Sequence, residues 1–115
     1  MVDESKLDLP SMWEPETDSL RLKALGKLAE ELAECNAAVA RCIIQGIDEC
    51  EPITGKINRH WLQDEIADVE VCIEHAKRIL GLDRDRITAR ITKKYTYLKR
   101  WLDSTALTQA QGGAE

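Results

Sequence analysis

The sequence predicts an all-α fold with three main helices per chain, and three observations carry that prediction. Charged residues make up 32% and hydrophobic ones 43%, with 4% aromatics and no Phe. That mix is short of the aromatic and β-branched residues a sheet protein needs. Apolar positions alternate in steps of three and four through three long segments, which is the period of a helix seam. Glycine and proline are sparse, six and three in 115 residues, and apart from Gly26 they fall outside those segments.

Residues 1–16 read as an acidic leader, partly ordered, with Pro10 and Pro15. A first helix is predicted over 17–45, stopped by Gly46. Its seam is Leu25, Leu28, Leu32, Cys35, Val39 and Cys42. Residues 46–58 form a connection with Pro52 and Gly55, longer than a bundle turn requires. Asn58 is the expected N-cap of a second helix over 59–80, whose seam is Leu62, Ile66, Val69, Ile73, Ala76 and Leu80. Gly81 ends it. Asp83 is the expected cap of a third helix over 84–103, with the stripe Ile87, Ile91, Tyr95, Leu98 and Leu102. The Ala/Gln/Gly-rich residues 104–115 read as a flexible tail, leaving 17–103 as the domain. These stripes exceed what one protomer can cover. The chain is therefore expected to associate into a four-helix-bundle-type homo-oligomer, a dimer or a dimer of dimers.

The formal net charge of −5 argues against direct nucleic-acid binding. No run reaches the length of a membrane span, and the N-terminal stretch is acidic with no apolar core. Cys35, Cys42, Cys50 and Cys72 contain no Cys-x-x-Cys and read as reduced thiols. A cytoplasmic protein is the expectation, from a prokaryotic or phage-infected cell.

One acidic pattern occurs twice: Glu30-Glu31-Leu32-Ala33-Glu34 and Asp64-Glu65-Ile66-Ala67-Asp68. A helix usually answers its acids with Lys or Arg three or four positions away. Here Glu34, Glu65 and Asp68 have no such neighbour, and Glu31 has only Lys27. With the large apolar residues as the seam, Glu31 and Glu65 take the g position, Glu34 and Asp68 take c, and Glu30 and Asp64 take the outward f position. If the two helices pack antiparallel, both inner pairs converge. Four converging carboxylates repel one another unless a cation lies between them. An all-oxygen donor set suits Mg²⁺, with Mn²⁺ as a substitute. A di-iron centre would need Glu-x-x-His on two helices. Ile57 and Cys72 precede His60 and His75 at that spacing, so that pattern is absent.

The pair Glu31-x-x-Glu34 and Glu65-x-x-Asp68 resembles the signature of the all-α nucleoside triphosphate pyrophosphohydrolases. This superfamily includes MazG, the dimeric dUTPases and the dCTP pyrophosphatases. The stretches from Leu25 to Glu34 and from Arg59 to Val69 are most similar to the MazG-like branch, and Lys94-Tyr95-Thr96 is similar to a basic segment that follows the second motif there. The resemblance covers about 20–100. It implies an all-helical fold whose protomers complete four-helix bundles, with Mg²⁺ held by Glu31, Glu34, Glu65 and Asp68. It also implies hydrolysis between the α- and β-phosphates, to a nucleoside monophosphate and pyrophosphate. Glu31 or Glu34 would take the proton from the attacking water.

Phosphate charge would then need cations. The third helix offers Arg90, Lys93 and Lys94, and the connection offers Lys56 and Arg59. Lys94 is the first choice because Tyr95 beside it belongs to the apolar stripe. Trp61 and Trp13 are candidates for stacking on a base. Two other readings fit the same seams and charge: a non-enzymatic helical interaction or regulatory module, and a nucleotide sensor without turnover.

Overall fold

The structure, a computed structural model, describes residues 13–112. Residues 1–12 of the expected leader and 113–115 of the expected tail lie outside the described residues. Three helices follow one another: α1 (Ser19–Gln45), α2 (Asn58–Leu80) and α3 (Arg84–Gly112). Among the described residues there is no strand, only an isolated antiparallel bridge between Cys50 and Ile57. No helix among them is long and apolar enough to cross a membrane.

Each helix end has a local cause. Asp18 caps α1, its Oδ1 accepting from the Arg21 N–H at 2.9 Å, so the helix begins slightly later than predicted. Gly46 ends it with φ 92°, donating its N–H to Cys42 O at 3.0 Å. The positive φ favours glycine there, and a Cβ would also crowd Glu49 Cγ at 3.1 Å. Gly81 ends α2 in the left-handed region, φ 61°, after Lys77 and Arg78 in the last turn. Asp83 caps α3 as predicted, accepting from Asp85 N at 3.0 Å and Arg86 N at 3.1 Å. That helix runs on past Asp103 to Gly112, so the expected tail is helical over its described part. Thr92, Thr96 and Thr105 return their hydroxyls to carbonyls one turn earlier in the same helix.

The chain divides into two compact units, one up to Gly81 and one from Leu82. In the first, α1 and α2 pack against each other. The pairing is antiparallel: Cys42 Sγ donates to Asn58 O at 3.7 Å at the loop end, while Glu31 lies beside Glu65 and Asp68 farther along. Half of the predicted seam holds: Leu28, Cys35 and Cys42 on α1 and Leu62, Val69, Ala76 and Leu80 on α2 are withdrawn from solvent. On α1 the residues withdrawn from solvent are Ala24, Leu28, Glu31, Cys35, Ala38 and Cys42. On α2 the line runs through Asn58, Leu62, Glu65, Val69, Cys72, Ala76 and Ile79, with Trp61, Lys77 and Leu80 half-buried beside it. Both sets step by three and four, but every second position is moved back by one, from Leu25, Leu32 and Val39 to Ala24, Glu31 and Ala38 and from Ile66 and Ile73 to Glu65 and Cys72. Leu25, Leu32, Val39, Ile66 and Ile73 stay between 36% and 48% exposed. Ala24, Ala38 and Ala76 are the buried hydrophobic residues. The most deeply buried hydrophobic positions are these small side chains, which let backbones approach, with Leu28, Leu62 and Val69 half-buried between them.

Asn58 is not the cap of α2. Ile57 occupies that place and makes no side-chain cap bond. Asn58 is instead fully buried, its Nδ2 donating to Gly46 O at 2.9 Å and its backbone N–H to Glu49 O at 2.9 Å. It closes the connection across its base. Replacing it by Leu strands the Gly46 carbonyl, an expected loss of about 1–3 kcal/mol. Chemical denaturation should show that loss as a lower midpoint with an unchanged slope.

Candidate metal centre

Within the hairpin, Glu31, Glu65 and Asp68 bring one carboxylate oxygen each within 4.8 Å of the others. The shift of the seam explains the meeting. Glu31 and Glu65 stand in the line of contact rather than on its flank, so the packing of α1 on α2 forces them together. Glu31 is only 7% exposed and Glu65 is half-buried. Glu31 Oε2 and Glu65 Oε2 are both buried without a hydrogen-bond partner. Buried carboxylate oxygens are nearly always satisfied, because leaving one bare costs its desolvation. Glu31 and Glu65 each bring such a bare oxygen to a cluster that could hold a cation. The donors are all oxygen, which fits Mg²⁺ or Mn²⁺ and not the nitrogen and sulfur set that zinc prefers.

Glu34, expected as the fourth ligand, lies outside that set and is exposed. It still feels the cluster. The charge of Glu31 raises its proton affinity, with burial and then Glu65 adding. Its ionisation therefore opposes folding: the stability it allows is complete below the ordinary glutamate value and lost as pH rises through the raised one. Glu34→Gln is expected to raise the melting temperature of the metal-free protein near neutral pH, a gain that disappears by about pH 4. A thermal melt series over that range checks it.

Glu30 and Asp64 face outward. Glu30 pairs with Lys27 at 3.5 Å and Asp64 with Lys56 at 2.6 Å. Lys27 also reaches Glu31 Oε1 at 3.0 Å.

The other predicted residues are scattered. Trp61, half-buried one turn before Glu65, has Lys56 Nζ 5.5 Å and the Arg41 guanidinium 5.9 Å from its ring centre. Its Nε1 is buried without a partner. Arg59 turns into the connection and binds Asp48 with two hydrogen bonds, at 2.8 and 3.1 Å. This pairing lowers the Asp48 pKa. Trp13 is exposed ahead of α1. Arg90, Lys93 and Lys94 all lie on α3, in the second unit. Lys94 borders an apolar patch with Ile91, Tyr95 and Leu98, and Lys93 lies 6.0 Å from the Tyr97 ring centre.

Two residues escaped the sequence reading, Glu51 in the connection and Arg41 on α1. Glu51 is buried and accepts from Ile53 N, Thr54 N and Thr54 Oγ1 at 3.0, 2.6 and 2.7 Å. The Thr54 N–H above all, then that of Ile53, holds its pKa below the ordinary value. Arg41 approaches it at 4.0 Å and bonds Gln45 Oε1 at 3.2 Å. The signal for Glu51 was its spacing to Thr54, an acid followed three residues on by a hydroxyl in a Pro/Gly-containing loop. Both residues tie the connection down beside Trp61.

No family model, curated protein or solved structure matches the chain. The functional reading rests on the resemblance of the two acidic motifs and on the cluster they form in the hairpin.

Proposed function

We propose that this chain is a Mg²⁺-dependent nucleoside triphosphate pyrophosphohydrolase, cleaving between the α- and β-phosphates to release a nucleoside monophosphate and pyrophosphate. The observation that carries the reading is the cluster of Glu31, Glu65 and Asp68 with its two buried, partnerless oxygens. Glu31, Glu65 and Asp68 would hold the cation, which when bound neutralises charge on the phosphate oxygens. Mn²⁺ would substitute.

Glu34 is assigned the base. It stands one turn beyond Glu31, exposed, with a free carboxylate and a raised proton affinity. In the reaction a water oxygen attacks the α-phosphorus, the bond to the bridging oxygen breaks, pyrophosphate leaves, and Glu34 takes the proton from the water. Trp61 supplies a ring one turn from Glu65 for the base of the nucleotide. Lys56, released from Asp64, is assigned to phosphate charge within the hairpin, while Arg59 is held by two hydrogen bonds to Asp48. The half-exposed line of Leu25, Leu32, Val39, Ile66 and Ile73 is assigned to a second copy of the chain.

The test is a panel of ribo- and deoxyribonucleoside triphosphates incubated with Mg²⁺ and assayed for pyrophosphate. At least one should release it, and chelation by EDTA should stop the release. A cooperatively folded protein that yields no pyrophosphate from any triphosphate overturns the reading.

A further inference from the structure

Lys27 is the cation that the fold itself sets against the carboxylate cluster. It sits one turn before Glu31 on α1, its Nζ 3.0 Å from Glu31 Oε1 and 3.5 Å from Glu30 Oε2. The pairing is lopsided. Lys27 satisfies one oxygen of Glu31 and leaves Oε2 bare and buried, and Glu65 of the same cluster also has a bare Oε2. One ammonium therefore relieves only part of the repulsion among three carboxylates. Its own side chain is 52% exposed while that of Glu31 is 9% exposed. The flexible stem can swing the ammonium into solvent without disturbing the packing of α1 on α2. Exposed pairs at this spacing are weak, so the contact yields to a stronger cation.

We propose that Lys27 is a resident counter-cation of the centre, which steadies Glu31 in the metal-free protein and competes with a divalent cation for it. This inference rests on the reading of Glu31, Glu65 and Asp68 as a cation site. It assigns Lys27 a role opposite in sign to that of a residue that merely orients a ligand. An orienting lysine helps the metal bind, whereas a competing one holds affinity down. The competition also sets a threshold. A monovalent ion gains little by displacing an ammonium of equal charge, while a divalent ion gains the bare oxygens as well.

The size of the effect follows from Coulomb's law. A unit charge at roughly 6 Å from a divalent ion in water costs a factor of about ten in affinity, and salt reduces it to roughly 3–10-fold. The experiment is calorimetric titration of the full chain with Mn²⁺ alone, without nucleotide, comparing wild type with Lys27→Met, Lys27→Gln, Lys27→Arg and Lys23→Met. Lys27→Met and Lys27→Gln should each bind Mn²⁺ roughly 3–10-fold more tightly. Lys27→Arg, which keeps the charge, should match wild type. Lys23→Met removes the same charge one turn farther away and should change little. Unchanged or weaker Mn²⁺ binding in both neutral variants overturns the competing role and leaves the cation site standing. Failure of wild type and every variant to bind Mn²⁺ overturns the cation site and this inference with it.

Discussion

Glu65→Gln is expected to slow pyrophosphate release roughly 10²-fold while making the metal-free protein more stable. The two effects have one cause. Glu65 Oε2 is buried without a partner beside Glu31, whose Oε2 is equally bare. An amide of the same shape removes one negative charge and offers an N–H donor in a cluster that has acceptors to spare. The gain for the metal-free fold is about 1 kcal/mol, a melting temperature higher by roughly 4–8 °C for a domain of this size. The cost falls on the cation. Losing one charged ligand removes a share of the phosphate neutralisation, and about 3 kcal/mol of it corresponds to roughly a 10²-fold loss in rate. The rise in melting temperature on adding Mg²⁺ should vanish as well, since that rise reports binding to the folded state. Asp68→Asn should share the loss of activity with a smaller stability gain, because Asp68 is exposed. A Glu65→Gln protein that keeps full activity, or that melts lower than wild type without metal, would sink the assignment. A structural salt-bridge role predicts the reverse on stability, because breaking such a pair destabilises.

Helix number and most helix ends were legible in the sequence because they rest on single residues with strong local preferences. Gly46 and Gly81 stop helices at positive φ, and Asp83 accepts from the first N–H groups of α3. One line of the seam was legible, Leu28/Cys35/Cys42 with Leu62/Val69/Ala76, and the choice of the line beside it was not. The apolar band on α1 is wide enough to hold two adjacent lines, Leu25/Leu32/Val39 and Ala24/Glu31/Ala38. Periodicity has the same value for both, and residue size favours the first. The fold takes the second, because close packing of two helices prefers Ala and Cys to Leu. That one-residue shift moves Glu31 and Glu65 from the flank of the seam into it. The acids themselves were therefore found from their doubling, while their burial and the bareness of their oxygens were not. Asn58 was misread for a related reason. Its type fits an N-cap, but its side chain bonds Gly46 O, a partner that exists only once the connection has folded back. Glu34 shows the limit of a repeat: it matches Asp68 in sequence position, yet only Asp68 joins Glu31 and Glu65.

The line that the hairpin leaves uncovered supports the second large prediction. Light scattering should give a mass that is a multiple of 13.0 kDa, and Leu32→Lys combined with Ile66→Lys should reduce it to that of one chain. Leu25, Leu32 and Val39 recur every two turns on α1, and Ile66 and Ile73 do so on α2, all at least 36% exposed. Fully burying such a side chain is worth about 1.5–3 kcal/mol, so covering the exposed remainder contributes about 1 kcal/mol each. Five side chains on each of two copies then supply about 10 kcal/mol, within the range that association itself costs. The margin is narrow enough that two lysines per chain should reverse it. The substitutions lie next to Glu31 and Glu65 in sequence but outside the hairpin seam, so the variant should remain helical by circular dichroism and still bind Mn²⁺. Wild type that stays at 13.0 kDa across the micromolar range, or a doubly substituted protein that still assembles, would show that this face is not where copies of the chain meet.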